Sequence, residues 1–278
     1  MLARTPADSE IFAGNRAIGR VTLAVAAHDG ETRRRKVHEA GALRVRFPNA
    51  ADKAVLEAVI VNTAGGMAGG DRFDIDVAVE AGARLTVTTA AAEKVYRSLG
   101  PGTEVSVKLD VGSGGALAWL PQETILFDRV RLRRMIDVDL AHDADLILAE
   151  AVVFGRSAMG ETVLQGHLFD HWRVRVGGAL VFAETLRLDG FVAQHLAQRA
   201  VASEGVAIAS VIKVPADESG AAAVRDIAKD FVGEVGVSAW NNLLVARLVA
   251  RDGAALHRDL VGVLTALHTT PLPRLWLN

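Results

Sequence analysis

Histidines, carboxylates and a glycine-rich run are the residues of this 278-residue chain whose types and spacing bear on chemistry. Imidazole and carboxylate together suit nickel or zinc. His167-x-x-x-His171, however, sits in an alternating stretch. On a strand, positions i and i+4 share a face but lie roughly 13 Å apart, too far for one metal. His142-Asp143-Ala144-Asp145 reads as a polar turn, and His28 and His38 flank another. There is no HExxH motif and no paired histidine spacing on a helix. Cysteine is absent, which excludes disulfides, thiolate metal sites and cysteine nucleophiles together. The run Asn62-Thr63-Ala64-Gly65-Gly66-Met67-Ala68-Gly69-Gly70-Asp71-Arg72 lacks the Gly-Lys-Ser/Thr of a phosphate loop. A strand pattern follows it, so no helix N-terminus is there to face a pyrophosphate. It reads as a tight turn with glycines at positive φ. No Gly-x-Ser-x-Gly nucleophile elbow is present. Glu93/Lys94 and Gln122/Glu123 have acid–base types, but their spacing assigns them no role. Arg129, Arg131, Arg133 and Arg134, like Arg33 to Lys36, are expected to be solvated strand faces, with an anionic partner's landing site as the alternative.

The elements available to position these groups are mostly strands. Ile75, Val77 and Val79 alternate with Asp74, Asp76 and Glu80, and the same period of two recurs at 104–110, 129–133, 136–140 and 172–176. Gly177-Gly178 between two such runs predicts a two-residue hairpin. Three segments look like one unit repeated: Ile75–Thr89, Val105–Gln122 and Ile136–Glu150, with matching leucines Leu85, Leu117 and Leu146. That spacing predicts stacked β coils or layered hairpins. Polar residues end the second strand of each copy: Thr88 and Thr89, then Gln122 and Glu123, then Glu150. Stacking would line them up, and buried polar groups must be hydrogen-bonded or hydrated. A water-filled passage is one solution and ordinary internal hydrogen bonds are the other. Helix signals come late. One covers Glu218 to Phe231 after Asp217, with Val224, Ile227, Ala228 and Phe231 as a stripe. Another is capped by Asp252, with Leu256, Leu260, Val263, Leu264 and Leu267 on one face. Leu243 to Val249 between them reads as a buried strand. The expectation is a mainly β chain, a distorted β-helical or stacked β-hairpin scaffold, with two helices near the C-terminus. A single domain over 1–278 is expected, its helical part about 217–268.

Composition narrows the function classes. The formal net charge is −2 and half the residues are hydrophobic. This argues against a nucleic-acid binder and against a disordered chain. No run of about 18 apolar residues marks a membrane span. Met1 to Ile11 lack the apolar core of a targeting peptide, so a cytoplasmic location is expected.

Several long motifs carry a family resemblance. The Asn62–Arg72 run resembles the Gly-Gly-x-x-Gly-Gly-Asp-Arg signature of the urease accessory protein UreD (UreH) family. Thr88-Thr89-Ala90-Ala91-Ala92-Glu93-Lys94-Val95-Tyr96-Arg97-Ser98, Trp119-Leu120-Pro121-Gln122-Glu123 through Phe127-Asp128, and Gly155-Arg156 through Gly160-Glu161 are similar to three further motifs. Gly19-Arg20-Val21-Thr22-Leu23 and Pro273-Arg274-Leu275-Trp276 fit near the ends. Ala118 departs from the family, where Glu is frequent. The resemblance implies a cytoplasmic, non-catalytic urease-maturation chaperone with a strand-rich β-helical fold and two helices. It implies binding to UreF, recruitment of the GTPase UreG through UreF, and docking on apo-urease. It also implies nickel handed from UreG through interior tunnels, as transient cargo with no tightly bound cofactor. Motif position and repeat phase nominate Asp71, Thr88, Thr89, Glu93, Gln122, Glu123, Glu150 and Glu161 as passage residues. Gly65, Gly66, Gly69, Gly70 and Pro121 are expected to set backbone geometry. An interaction module without metal handling is the alternative. A β-helical carbohydrate enzyme is disfavoured by one Tyr and four Trp, too few for sugar platforms.

Overall fold

The computed structural model describes residues 16–49, 52–156, 159–268 and 270–277. The alternating runs are strands. In chain order they are β1 (Ile18–His28), β2 (Glu31–Gly41), β3 (Leu43–Arg46), β4 (Leu56–Asn62), β5 (Arg72–Val79), β6 (Arg84–Thr89), β7 (Glu93–Val95), β8 (Thr103–Val111) and β9 (Ala116–Leu120). They continue as β10 (Thr124–Leu126), β11 (Val130–Leu140), β12 (Asp145–Phe154), β13 (Gly166–Val176), β14 (Ala179–Gly190), β15 (Ala207–Val214), β16 (Glu234–Trp240) and β17 (Leu243–Ala250). The α-helices are α1 (Val192–Leu196), α2 (Glu218–Asp226) and α3 (Gly253–Leu267).

Successive coils alternate between two sheets. One sheet runs β14-β13-β11-β8-β5-β1-β2, and the other runs β16-β17-β15-β12-β9-β6-β4-β3, with β10 bridging β12 and β7. The central strands of both are parallel, as stacking requires: β1, β5, β8, β11 and β13 in the first, β4, β6, β9 and β12 in the second. The repeat read from sequence is present in the register. Leu85 pairs with Leu117, Leu117 with Leu146, and Leu56 extends the row at Leu85. The opposite sheet carries the matching row Val21, Ile75, Val107, Ile136 and Trp172. Inward residues of both sheets form one apolar core. Antiparallel hairpins close the stack at its ends. The β13–β14 turn places Gly177 and Gly178 at φ 56° and 82°, the double positive-φ conformation such a two-residue turn demands.

The second sheet is covered on both faces, so β12 reads as a nearly continuous apolar run instead of alternating. Its outer face, including Leu120, Ile147 and Ala149, packs against Leu256, Leu260, Val263, Leu264 and Leu267 of α3. Asp252 caps α3 through Ala255 N, and Asp217 caps α2 through Ser219 N and Gly220 N, as their positions before the helical stripes predict. Trp276 adds to this layer and donates its indole N–H to Leu120 O at 2.9 Å. α2 is shorter than the helix expected over 218–231: it ends at Asp226, and a 3-10 turn at Ala228–Asp230 follows. The five-residue α1 was not anticipated, because a single buried pair, Val192 and Leu196, leaves too little periodicity to see. The reading of Met1 to Ile11 falls outside the described residues. No described helix is long and apolar enough to cross a membrane.

Candidate functional site

The long motifs are first of all interlocked loops. In the glycine run, Gly65, Gly66 and Gly70 have φ of 74°, 143° and 92°. A Cβ on Gly66 would lie 2.6 Å from the Tyr96 ring, whose hydroxyl donates to Gly65 O at 2.8 Å. Asp71 closes the same loop, its carboxylate accepting from Ala68 N at 2.7 Å and from Ala17 N at 2.8 Å. Glu161 holds another loop: it pairs with Arg156 at 2.6 Å and accepts from Asp128 N, while Arg156 lies over the Phe127 ring. Residues 157 and 158 of that motif lie outside the described residues. Asp71 and Glu161 are therefore backbone and loop fasteners, placed apart from the interior groups described next.

Between the two sheets lies a cavity of about 60 Å³. Thr89, Glu93, Gln122 and Glu150 line it, together with Thr124 and Arg134. A second, smaller cavity of about 30 Å³ is lined by Asp170, Glu184 and Ser210 among others. Arg134 and Glu150 line both, so this ion pair is the wall between them. Local periodicity explains the placement. Arg134 takes the inward phase of β11 between Leu132 and Ile136, and Asp170 the inward phase of β13 between Leu168 and Trp172. The Arg134 guanidinium donates from Nε to Asp170 Oδ1 at 3.0 Å, from Nη2 to Asp170 Oδ2, and from Nη1 to Glu150. Trp172 and Trp119 supply indole N–H donors to Asp170 and Glu150 at 2.9 and 2.8 Å. At one end of the line, Asn62 donates to Glu93 at 3.0 Å; at the other, Arg247 on the exposed surface donates to Glu184 at 3.0 Å.

The expected alignment of strand-end polar residues holds in part. Thr89 and Glu150 point inward, and Thr89 Oγ1 accepts from Gln122 N at 2.9 Å. Gln122 also reaches the C-terminal segment, donating to Leu275 O at 3.3 Å. Thr88 and Glu123 do not join the line: Thr88 adjoins Thr89 on β6 and so faces the opposite side, and Glu123 lies in the segment between β9 and β10. The register sets Thr88 beside Leu120 on the face turned to the helical layer. Glu123 contributes its backbone carbonyl to Glu93 N, and its side chain does not line the cavity. The Thr88 hydroxyl is fully buried and has no hydrogen-bond partner among the described residues. Thr88→Val should therefore raise stability by about 1 kcal/mol, read from a denaturant midpoint, since a buried unsatisfied hydroxyl is a standing cost. A loss of comparable size would mean that the hydroxyl is hydrogen-bonded.

Arg134, Asp170 and Glu184 are the members sequence reasoning missed. Arg134 belongs to a run of arginines whose pattern predicts a solvated face, yet it is buried, and its guanidinium is shared by two buried carboxylates. Burial pushes the Glu150 carboxyl above its ordinary range, against the opposing pull of Arg134 and the Trp119 bond. Burial likewise raises Glu93, with Asn62 opposing, and raises Glu184, with Arg247 opposing and Asp170 adding to the rise. For Arg134, burial alone would favour the neutral form, but Asp170 and Glu150 outweigh it and hold the guanidinium charged. Among the described residues, no three His and carboxylate side chains converge into a metal-holding set.

The direction at Glu150 has a measurable consequence. A carboxyl whose folded pKa exceeds its unfolded value binds its proton more tightly when folded. Its contribution to stability is complete below the unfolded pKa and lost as pH rises through the folded one. Glu150→Gln keeps an acceptor for Trp119 and removes that loss. It should be more stable than the native chain at neutral pH, with the advantage shrinking as pH falls below the ordinary carboxylate range. An advantage that grows on acidification would contradict a raised pKa.

Comparison with known proteins bears on the whole chain. The family model described as "UreD urease accessory protein" matches residues 17–277. A protein named urease accessory protein UreD from Rhodopseudomonas palustris strain HaA2 is 55% identical over 272 residues, covering 98% of this chain and 97% of that one. One of the same name from Bradyrhizobium diazoefficiens is 52% identical over 278 residues, covering both chains completely. A third, urease accessory protein UreD 3 of Bradyrhizobium sp. strain BTAi1, is 51% identical over 98% of each chain.

Proposed function

The chain belongs to the UreD urease accessory protein family, and on that premise we propose that it is a non-catalytic, cytoplasmic scaffold of urease maturation. In this role it binds UreF and apo-urease and passes nickel delivered by UreG through its interior. The supporting observation is that Thr89 and Glu93 of one motif, Gln122 of another and Glu150 of β12 share one interior cavity. These are oxygen and amide groups, without the convergent imidazoles that would hold nickel tightly. Sites along a conduit must release as readily as they bind.

The cavity, about 60 Å³, has room for ordered water beside the polar side chains that line it. Nickel passing through it exchanges part of its water shell for carboxylate, amide and hydroxyl oxygens. A cation arriving there favours the carboxylate form of Glu150 and displaces the proton that burial encourages on it.

The test is reconstitution. Apo-urease is incubated with UreF, UreG, GTP, bicarbonate and nickel, with and without this chain, and complexes are recovered by pull-down. Chain-dependent activation with recovery of UreF is expected. Equal activation without the chain, or failure to bind UreF, would overturn the proposal.

A further inference from the structure

Two surface grooves adjoin at the strand-start edge of the seven-stranded sheet, and the interior line uses neither. One, of about 940 Å³, lies between the glycine run and the 97–102 segment and is lined by Arg16, Ile18, Arg72, Arg97 and Leu99. The other, of about 640 Å³, is lined by Arg131, Arg133, His167, Phe169 and Arg187. Gly100-Pro101-Gly102 forms a wall of both, so they make one continuous trough.

The charge of this trough is out of keeping with the chain. Six arginines line it against two carboxylates, Glu104 and Asp189, in a protein of formal net charge −2. Both carboxylates are already engaged, Glu104 with Arg72 and Asp189 with Arg187 and His167. Arg131 gives an N–H to Gly100 O, and Arg133 lies 4.6 Å from the Phe169 ring centroid. Neither contact neutralises charge. Apolar groups sit among the arginines: Leu99 is 80% exposed and Ile18 is 64% exposed. The arginines spaced at alternate positions of β11 are thus the rim of a trough rather than a merely solvated face.

We propose that this trough docks an acidic peptide segment of a partner protein, one that carries apolar side chains for Leu99 and Ile18. Guanidinium groups pair with carboxylates in a two-pronged geometry, and the exposed leucine gives such a segment a place for a side chain. A nucleic acid fits less well. Further along the same sheet face the charges are mixed: Asp76, Asp110, Asp137 and Asp139 stand among Lys108, Arg173 and Arg175, and Arg175 pairs with Asp137 and Asp139. The basic track therefore ends with the trough, which suits a short acidic segment better than a continuous polyanion. The docking site stands apart from the nickel reading, and neither depends on the other.

The experiment uses the full chain and fluorescence anisotropy. The probes are a labelled twelve-residue Glu/Leu peptide, an all-Glu peptide and a single-stranded oligonucleotide of similar charge. Saturable binding of the Glu/Leu peptide is expected, weakening with salt and tighter than that of the other two. Arg131→Glu with Arg133→Glu should weaken it at least tenfold, and Arg97→Glu, on the separate loop, should weaken it independently. Arg199→Glu, an exposed arginine outside the trough, should leave it unchanged. All variants are checked by thermal unfolding, and the two trough variants lie on different elements, so misfolding of one leaves the other informative. Absence of saturable binding, indifference to both charge reversals, or tighter binding of the oligonucleotide would overturn the proposal.

Discussion

Arg134→Met should destabilise the fold by about 3–5 kcal/mol, the penalty for leaving buried charges without their partner. The side chain is of similar length and apolar, so lost packing is a minor part of the change. What remains is two carboxylates, Glu150 and Asp170, facing each other across the place the guanidinium filled, both buried. Neither indole donor can replace a positive charge. The same argument predicts recovery: adding Glu150→Gln and Asp170→Asn to Arg134→Met removes the orphaned charges and should restore most of the loss. Urea denaturation of the single, double and triple variants measures both effects as a thermodynamic cycle. If Arg134→Met unfolds within about 1 kcal/mol of the native chain, the triad does not carry the buried charge assigned to it.

Much of the scaffold was legible because stacking is periodic. Leu85, Leu117 and Leu146 announce the coils, and the register bears them out. Asp217 and Asp252 announce the two helices, and Gly177-Gly178 the hairpin. The site was legible only halfway. Adjacent residues on a strand face opposite sides, so Thr88 and Thr89 of β6 do not both join the line. Gln122 and Glu123 lie beyond the end of β9, where strand phase places neither. Parity also held the missing signal. Val130, Leu132, Ile136 and Val138 mark the buried phase of β11, and Arg134 falls on it. Asp170 falls on the buried phase of β13 in the same way. A charge at an inward position is the informative observation, since it needs a partner from across the core. Glu184 gave no such sign: β14 is an edge strand with mixed exposure, and its alternation is blurred.

The motifs and the interior line do different jobs. The glycine run with Tyr96, and Arg156 with Glu161, fasten loops around the coils. The groups lining the cavities come partly from motif residues and partly from strands outside any motif, such as β11 and β13. Long sequence signatures therefore mark the frame more completely than they mark the interior polar line.

The central claim is that nickel moves along the line from Glu93 to Glu150. The second large effect follows from it: neutralising these carboxylates should block transfer in a protein that still folds and still assembles. Glu150→Gln and Glu93→Gln each keep shape and hydrogen-bonding capacity while removing a carboxyl that can ionise to hold a cation. Each should slow activation about tenfold or more, the rate equivalent of at least about 1.4 kcal/mol. Glu123→Gln, whose side chain does not line the cavity, should behave as native. The decisive measurement is the nickel content of urease after a fixed activation time, with each variant carried in a UreF-containing complex recovered in native yield. Low nickel with Glu150→Gln and Glu93→Gln, and normal nickel with Glu123→Gln, is the predicted result. Full nickel loading with both cavity variants in intact complexes would contradict an interior path and leave the chain a docking scaffold alone.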